Sequence, residues 1–120
     1  MYKLAGSVLI VEDDFLINLT LQDLLEEIGF STAIAYNADE AISILEVRND
    51  FDLVITDIDM PGSMDGLKLA AFVRDRWPPL KIMIVSGKHR PSRDVLPEGS
   101  AFLAKPFSLD SLSKAVHRLE

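Results

Sequence analysis

The sequence predicts an α/β protein built on a doubly wound, five-stranded parallel sheet with helices on both faces. Five short apolar segments alternate along the chain with segments in which apolar residues recur at helical spacing. The strand segments are apolar at successive positions, a pattern typical of parallel strands that helices cover on both sides. A chain of 120 residues, 48% of them hydrophobic, is enough for one core, so we expect a single domain over residues 1–120.

The first half of the chain contains two strands and two helices. We expect Asp14 to cap the first helix and Gly29 to end it, because these residue types are favoured at the two ends of a helix. The predicted elements are a strand at 7–11, a helix at 15–28, a strand at 32–36 and a helix at 38–47.

The second half continues the alternation of strands and helices, with one less regular segment between the fourth and fifth strands. Pro78 and Pro79 should end the third helix, and Ser108 should cap the last one. Two prolines within residues 89–99 leave room for about one or two helical turns, so a fourth helix there should be short or irregular. The predicted elements are a strand at 53–56, a helix at 67–77, strands at 81–85 and 101–104, and a fifth helix at 109–119.

Composition excludes several classes of function. The chain has no cysteine, so disulfides, thiolate catalysis and thiolate metal sites are ruled out. A net charge of −7 repels phosphate backbones, so we expect no direct binding of nucleic acid. The apolar runs are too short to cross a bilayer and the first residues lack the pattern of a secretion signal. We therefore expect a cytoplasmic protein without membrane contact.

Acidic residues follow two of the predicted strands. Glu12 and Asp13 come after the first strand, and Asp57 and Asp59 come at the end of the third. Ligands of open parallel sheets bind beyond the carboxyl ends of the strands, and in the strand order 2-1-3-4-5 the first and third strands are neighbours. Crowded carboxylates repel each other unless a cation lies among them. A few hard oxygen ligands with room for water predict a Mg²⁺ site.

The fourth and fifth strands end in a hydroxyl and a cation. These are Ser86, which Gly87 follows, and Lys105, which Pro106 follows. A carboxylate, a metal ion, a hydroxyl and an ammonium group together can bind and transfer a phosphoryl group. The carboxylate would attack phosphorus, the metal and the lysine would hold the negative charge on the oxygens, and the hydroxyl would orient one of them.

Taken together, these segments resemble the receiver domain of bacterial two-component response regulators, the CheY-like family. The resemblance spans nearly the whole chain and implies the flavodoxin-like order 2-1-3-4-5, of which this family is a standard example. It rests on five segments in the same order: VLIVEDD at 8–14, VITDIDMPG at 54–62, MDG at 64–66, IVSG at 84–87 and FLAKPF at 102–107.

The resemblance implies a role for each acid. Asp57 would be the phosphoacceptor, receiving its phosphoryl group from a histidine kinase or a histidine phosphotransfer protein. Asp13 would bind Mg²⁺ directly, and Glu12 would act through water. The backbone carbonyl of Asp59 would supply a further metal ligand, while the role of its side chain is left open.

The resemblance also implies a conformational switch. Ser86 would be the switch hydroxyl, Phe102 the switch aromatic and Lys105 the partner of the phosphoryl group. The Lys105-Pro106 peptide bond is typically cis in similar proteins. A protein target would bind the face formed by the fourth helix, the fifth strand and the fifth helix. On this interpretation the protein is a signalling domain that catalyses only its own phosphorylation and dephosphorylation.

Three alternatives remain for the function. Because the chain ends at Glu120, directly after the last helix, we expect a stand-alone receiver without an output domain. The chain could also be the receiver portion of a hybrid histidine kinase. A haloacid-dehalogenase-like phosphatase is a third interpretation, since residues 57–60 partly match the start of that family's motif. The phosphatase fits less well, because position 60 is methionine and the acids after the first strand would have no role.

Overall fold

Strands and helices alternate in the computed structural model of the chain, which describes residues 6–58, 65–87 and 96–119. The helix predicted as the fifth is α4 here, and most of the segment predicted as a fourth helix lies outside the described residues. The elements are β1 (Gly6–Val11), α1 (Phe15–Ile28), β2 (Phe30–Ala35), α2 (Ala38–Val47), β3 (Leu53–Asp57), α3 (Gly66–Arg76), β4 (Lys81–Ser86), β5 (Ala101–Ala104) and α4 (Leu109–Arg118).

The five strands form one parallel sheet in the order β2-β1-β3-β4-β5, which confirms the predicted topology. β1 lies between β2 and β3, and its last residue, Val11, pairs with Thr56. The carboxyl ends of β1 and β3 are therefore side by side. On the other side of β3, Asp57 pairs with Val85, so the end of β4 lies at the same edge.

Helices cover both faces of the sheet, as predicted. Successive strand residues point to opposite faces, so Ile10 lies in one buried cluster and Leu9 in the other. α1 and α4 pack on the first face, and α2 and α3 on the second. None of the helices in the described ranges is both long and apolar enough to cross a bilayer.

Several predicted boundaries were wrong by one or two residues, and two of them have a clear physical reason. β2 begins at Phe30 rather than residue 32, because Gly29 adopts a φ of 125° and reverses the chain directly after α1. Phe30 is thereby buried at the edge of the core. α3 begins at Gly66 rather than residue 67, with Asp65 as its cap accepting a hydrogen bond from the N–H of Lys68.

The predicted caps of α1 and α4 are confirmed. One carboxylate oxygen of Asp14 accepts hydrogen bonds from the backbone N–H groups of Leu16 and Ile17. Ser108 and Ser111 bond each other's backbone N–H groups reciprocally at the start of α4. Asp14 therefore helps to fix the start of α1, directly beside the predicted acidic cluster.

Gly66 brings the start of α3 against the end of β3. Its N–H donates a 2.8 Å hydrogen bond to the carbonyl of Ile58, and its Cα is buried. A Cβ added at this position would overlap the backbone carbonyl oxygen of Asp57. The absence of a side chain at residue 66 thus allows a helix to pack directly on the backbone of the predicted phosphoacceptor.

Replacing Gly66 with alanine should destabilise the protein by about 3 kcal/mol, because the new methyl group forces α3 away from Asp57. Helix propensity alone predicts the opposite sign, a gain of up to about 1 kcal/mol. Ala71→Gly, at an exposed position of the same helix, is the matched control and should cost about 1 kcal/mol. Urea unfolding followed by circular dichroism measures both. A Gly66→Ala protein as stable as the wild type would show that the close approach is unimportant.

Candidate phosphotransfer site

Three carboxylates from two strand ends meet at the carboxyl edge of the sheet. Glu12 and Asp13 follow β1, and Asp57 is the last residue of β3. One oxygen from each of the three side chains lies within 4.8 Å of the others. Glu12 and Asp57 are buried, whereas Asp13 is exposed. The structure therefore brings together three of the four predicted acids, and the fourth, Asp59, lies outside the described residues.

Lys105 lies against the two buried acids. Its Nζ is 3.2 Å from Oδ2 of Asp57 and 3.3 Å from Oε1 of Glu12. The backbone N–H of Lys105 donates to the carbonyl of Ser86 at 3.0 Å, which ties the residue to the end of β4. The Lys105-Pro106 bond is cis, as predicted. The ammonium group thus stands between carboxylates that come from two different strands.

Ser86 and Phe102 lie on the two strands at this side of the sheet. Ser86 is the last residue of β4 and is only 3% exposed, and its Oγ has no hydrogen-bond partner among the described residues. In the register of β4 with β5, Ser86 pairs with Ala104 and Ile84 with Phe102. Because side chains alternate along a strand, Ser86 and Phe102 belong to the same face of the sheet. Phe102 is partly buried there, against the cluster beneath α2 and α3.

Comparison with known proteins identifies the family. The chain matches the family described as "Response regulator receiver domain" over residues 8–117. It belongs to this family. The resemblance noted from the sequence is thereby confirmed, and with it the assignment to two-component signalling.

The receiver domain is similar to proteins of different lengths. It is 36% identical over 118 residues to the response regulator protein FleR of Pseudomonas aeruginosa, covering 96% of this chain and 24% of FleR. It is 33% identical over 116 residues to the response regulator receiver protein CpdR of Brucella abortus, covering 93% of this chain and 94% of CpdR. The chain spans a quarter or less of the first curated relatives that it matches.

A solved structure of similar fold is that of the response regulator protein TrrA from Thermotoga maritima, in complex with Mg²⁺-BeF. The two structures superpose with a TM-score of 0.81 at 30% sequence identity, covering 96% of this chain and 99% of TrrA. The agreement extends over nearly the whole of both chains.

Burial and mutual repulsion set the electrostatics of the receiver domain's acidic cluster. The pKa of Glu12 is raised from 4.5 to about 7, chiefly because the carboxyl is buried and additionally because Asp57 repels its charge. The N–H of Asp14, which donates to Oε2 of Glu12 at 3.0 Å, and the charge of Lys105 oppose this rise. For Lys105, burial lowers the pKa, but attraction to Glu12 and Asp57 outweighs it and the pKa is raised.

The donor set of the receiver domain fits a magnesium ion. Mg²⁺ prefers hard oxygen ligands, uses one or two carboxylates and keeps several waters. Glu12, Asp13 and Asp57 offer three carboxylate oxygens close together, and the exposure of Asp13 leaves the site open to solvent. A divalent cation among these acids would also offset the repulsion that raises the pKa of Glu12.

Sequence reasoning missed other features around the site. Phe15, Leu16 and Leu19 are large apolar side chains that are exposed on the first turns of α1, beside the acids. They lie off the apolar stripe that faces the core, and that departure from helical periodicity was the available signal. Asn18, by contrast, is buried on the same helix. The available signal was its own position, as a polar residue on an otherwise apolar helix face.

Glu12→Gln should stabilise the metal-free protein at high pH. Below about pH 4.5 Glu12 carries a proton in both folded and unfolded chains, and above about pH 7 it carries one in neither. Between these values the folded chain retains a proton that the unfolded chain has lost, so this carboxyl lowers the stability as pH rises. At about 1.4 kcal/mol per pKa unit, the difference amounts to roughly 3 kcal/mol at pH 8.

Urea unfolding with EDTA at pH 4 and pH 8 tests this prediction. The free energy of unfolding of Glu12→Gln minus that of the wild type should be near zero at pH 4 and positive at pH 8. Asp23→Asn, an exposed acid of α1, is the matched control and should show no such change. A difference that does not vary with pH would mean that Glu12 is not desolvated in the fold.

Proposed function

We propose that this receiver domain is a phosphorylation-dependent switch in which Asp57 accepts a phosphoryl group from phosphohistidine. The donor would be a histidine kinase or a histidine phosphotransfer protein. One observation carries the proposal: the buried carboxylate of Asp57 lies 3.2 Å from the Lys105 ammonium, in a cluster with Glu12 and Asp13. Membership of the receiver family supports it.

The proposed transfer forms one bond and breaks another. A carboxylate oxygen of Asp57 attacks phosphorus, the phosphorus–nitrogen bond to histidine breaks, and the electron pair returns to the imidazole of the donor. Lys105 moves its ammonium from the carboxylates toward a phosphoryl oxygen. The hydroxyl of Ser86, which has no hydrogen-bond partner within the described ranges, donates to another. Both groups then stabilise negative charge that the transfer brings into the site.

Magnesium is the cofactor that we propose for this site. Asp13 and Asp57 would bind it directly, Glu12 through water, and the backbone carbonyl of Asp59 would be a further ligand. When bound, Mg²⁺ supplies positive charge that neutralises phosphoryl oxygens and the acids around them. The related chain TrrA was solved in complex with Mg²⁺-BeF, and this supports the choice of metal.

The proposed switch couples Ser86 to Phe102. Phosphorylation adds charge and strong acceptor oxygens, so Ser86 shifts toward Asp57, and Phe102 turns into the space that it leaves. Their common face of the sheet supports this coupling. Because Phe102 would have two positions, two states would result for the surface around β5 and α4, together with the segment between β4 and β5. A protein target would bind one of them more tightly.

We further propose that the chain is a stand-alone receiver in the cytoplasm, with residues 1–120 as its single domain. Similarity to CpdR over nearly the whole of both chains supports this interpretation. The receiver portion of a longer protein, such as a hybrid histidine kinase, is the alternative, since the chain covers only 24% of FleR. The phosphatase interpretation is not retained, because the chain belongs to a signalling family rather than to an enzyme family of the usual kind.

We propose the exposed apolar patch of Phe15, Leu16 and Leu19 as the surface that receives the phosphodonor protein. Leu16 is 70% exposed, and all three residues lie on α1 within two turns of the acids. Large apolar side chains grouped on a surface favour a protein contact. A protein bearing phosphohistidine must approach this edge to reach Asp57, whereas a small phosphodonor needs no such surface.

Incubation with Mg²⁺ and acetyl phosphate should add one phosphoryl group to the chain, as measured by intact mass. The adduct should be stable in acid and labile in base, as an acyl phosphate is. Asp57→Asn should abolish it, because the amide cannot attack phosphorus. Asp23→Asn removes an exposed acid of α1 and is the matched control, which should be phosphorylated like the wild type. An unchanged adduct in Asp57→Asn would refute the assignment of the phosphoacceptor.

Leu16→Ser should slow transfer from a phosphorylated histidine phosphotransfer protein about tenfold and leave the rate with acetyl phosphate unchanged. The reason is that the substitution removes an apolar docking contact without touching the acids. Val47→Ser is the matched control: Val47 is 83% exposed on α2, at the opposite end of the sheet. Equal losses of rate with both phosphodonors would mean that Leu16→Ser disturbs the acidic site itself. An unchanged rate with the protein donor would contradict the proposal that this patch is the docking surface.

A further inference from the structure

Asn18 is a buried polar side chain that no role described above explains. It lies in the second turn of α1 and is 1% exposed. Asparagine is a poor helix former, and burying its amide is unfavourable unless hydrogen bonds satisfy it. Apolar residues occupy the other fully buried positions of α1, Leu21 and Leu25. The amide at position 18 must therefore make contacts that offset this penalty.

The side chain of Asn18 contacts the acidic turn, residues 12–14, which lies between β1 and α1. Its Nδ2 donates a 3.0 Å hydrogen bond to the backbone carbonyl of Glu12, and its Oδ1 accepts from Nε2 of Gln22 at 3.3 Å. Both hydrogen bonds use the side chain alone. Asn18 thus connects the inside of α1 with the peptide unit between Glu12 and Asp13, two of the three acids in the cluster.

Other hydrogen bonds also hold the acidic turn. The N–H of Glu12 donates to the carbonyl of Ala35 on β2 at 3.0 Å, and the N–H of Asp14 donates to Oε2 of Glu12. Asp14 in turn caps α1. Asn18 adds a further contact to this turn, because its side-chain N–H donates to the carbonyl of Glu12. The orientation of the peptide unit after Glu12 constrains the backbone of Asp13 and hence the range of directions open to its carboxylate.

We propose that Asn18 is a positioning residue of the phosphotransfer site: it holds the Glu12–Asp13 peptide unit so that the carboxylates of the two residues converge for Mg²⁺. The inference rests on the proposed function. Residues that orient metal ligands without touching the metal commonly change metal affinity by 10-fold or more when they are replaced. Asn18 acts through the backbone and touches neither metal nor phosphoryl group.

Asn18→Leu tests the proposal, because leucine has a similar size and no hydrogen-bonding group. The dissociation constant of Mg²⁺ for the unphosphorylated protein, measured by titration calorimetry, should rise about tenfold. With acetyl phosphate, the Mg²⁺ concentration giving half the maximal rate should rise by the same factor, while the rate at saturating Mg²⁺ stays within about twofold. Should Asn18→Leu fail to fold, Asn18→Ala carries the same test with the strongest helix former.

Leu25→Ala is the matched control. Leu25 is fully buried on the same helix and lies outside the acidic turn, so its truncation should lower the melting temperature without changing the Mg²⁺ affinity. An unchanged affinity in Asn18→Leu, or an equal loss of affinity in Leu25→Ala, would reduce Asn18 to a structural residue. A wild-type protein that neither binds Mg²⁺ nor accepts a phosphoryl group would instead refute the proposed function itself.

Discussion

The contact of one lysine with two buried carboxylates is the constraint on which this site depends. Glu12 and Asp57 are both buried and repel each other, and Lys105 lies within 3.3 Å of each. Removing the cation would leave two charges close together with little solvent, which is strongly unfavourable. The strand order makes the contact possible, because it places the ends of β1 and β3 side by side and brings Lys105 in from β5.

The same arrangement leaves the site poised to bind positive charge and phosphate. The pKa of Glu12 is raised to about 7, so its ionised carboxylate lowers the stability of the fold. A metal ion bound beside this carboxylate would offset that cost. Ser86 retains a buried hydroxyl without a hydrogen-bond partner in the described part of the chain. The buried Glu12 carboxylate and the buried Ser86 hydroxyl are both unfavourable when no metal ion or phosphoryl group is bound. Binding of Mg²⁺ and phosphorylation of Asp57, as proposed, would satisfy both groups at once.

The sequence predicted the sheet and the residues at its edge because both depend on local patterns. Apolar runs, Gly29 and the capping residues Asp14 and Ser108 indicated the elements. The carboxyl-end rule for parallel sheets then predicted that Asp13 and Asp57 would meet. Patterns of this kind contain no information about close backbone contacts. Gly66 was therefore recognised only as part of a family segment, and its packing on Asp57 required coordinates. Asn18 was missed because its partner is a backbone carbonyl, which has no signature in the sequence.

Locating the phosphoryl group tests the central claim most directly. An acyl phosphate on aspartate is reduced by borohydride to homoserine, so the protein phosphorylated by acetyl phosphate and Mg²⁺ can be reduced, digested and mapped by mass spectrometry. Homoserine at position 57 is the predicted result, with no homoserine at positions 13 or 14 and no 2-amino-5-hydroxypentanoic acid, the product of a reduced glutamate, at position 12. The reduction product of another aspartate or of Glu12, or no reduced residue in a protein that has gained a phosphoryl group, would contradict the proposal that the lysine and its neighbouring carboxylates act on Asp57.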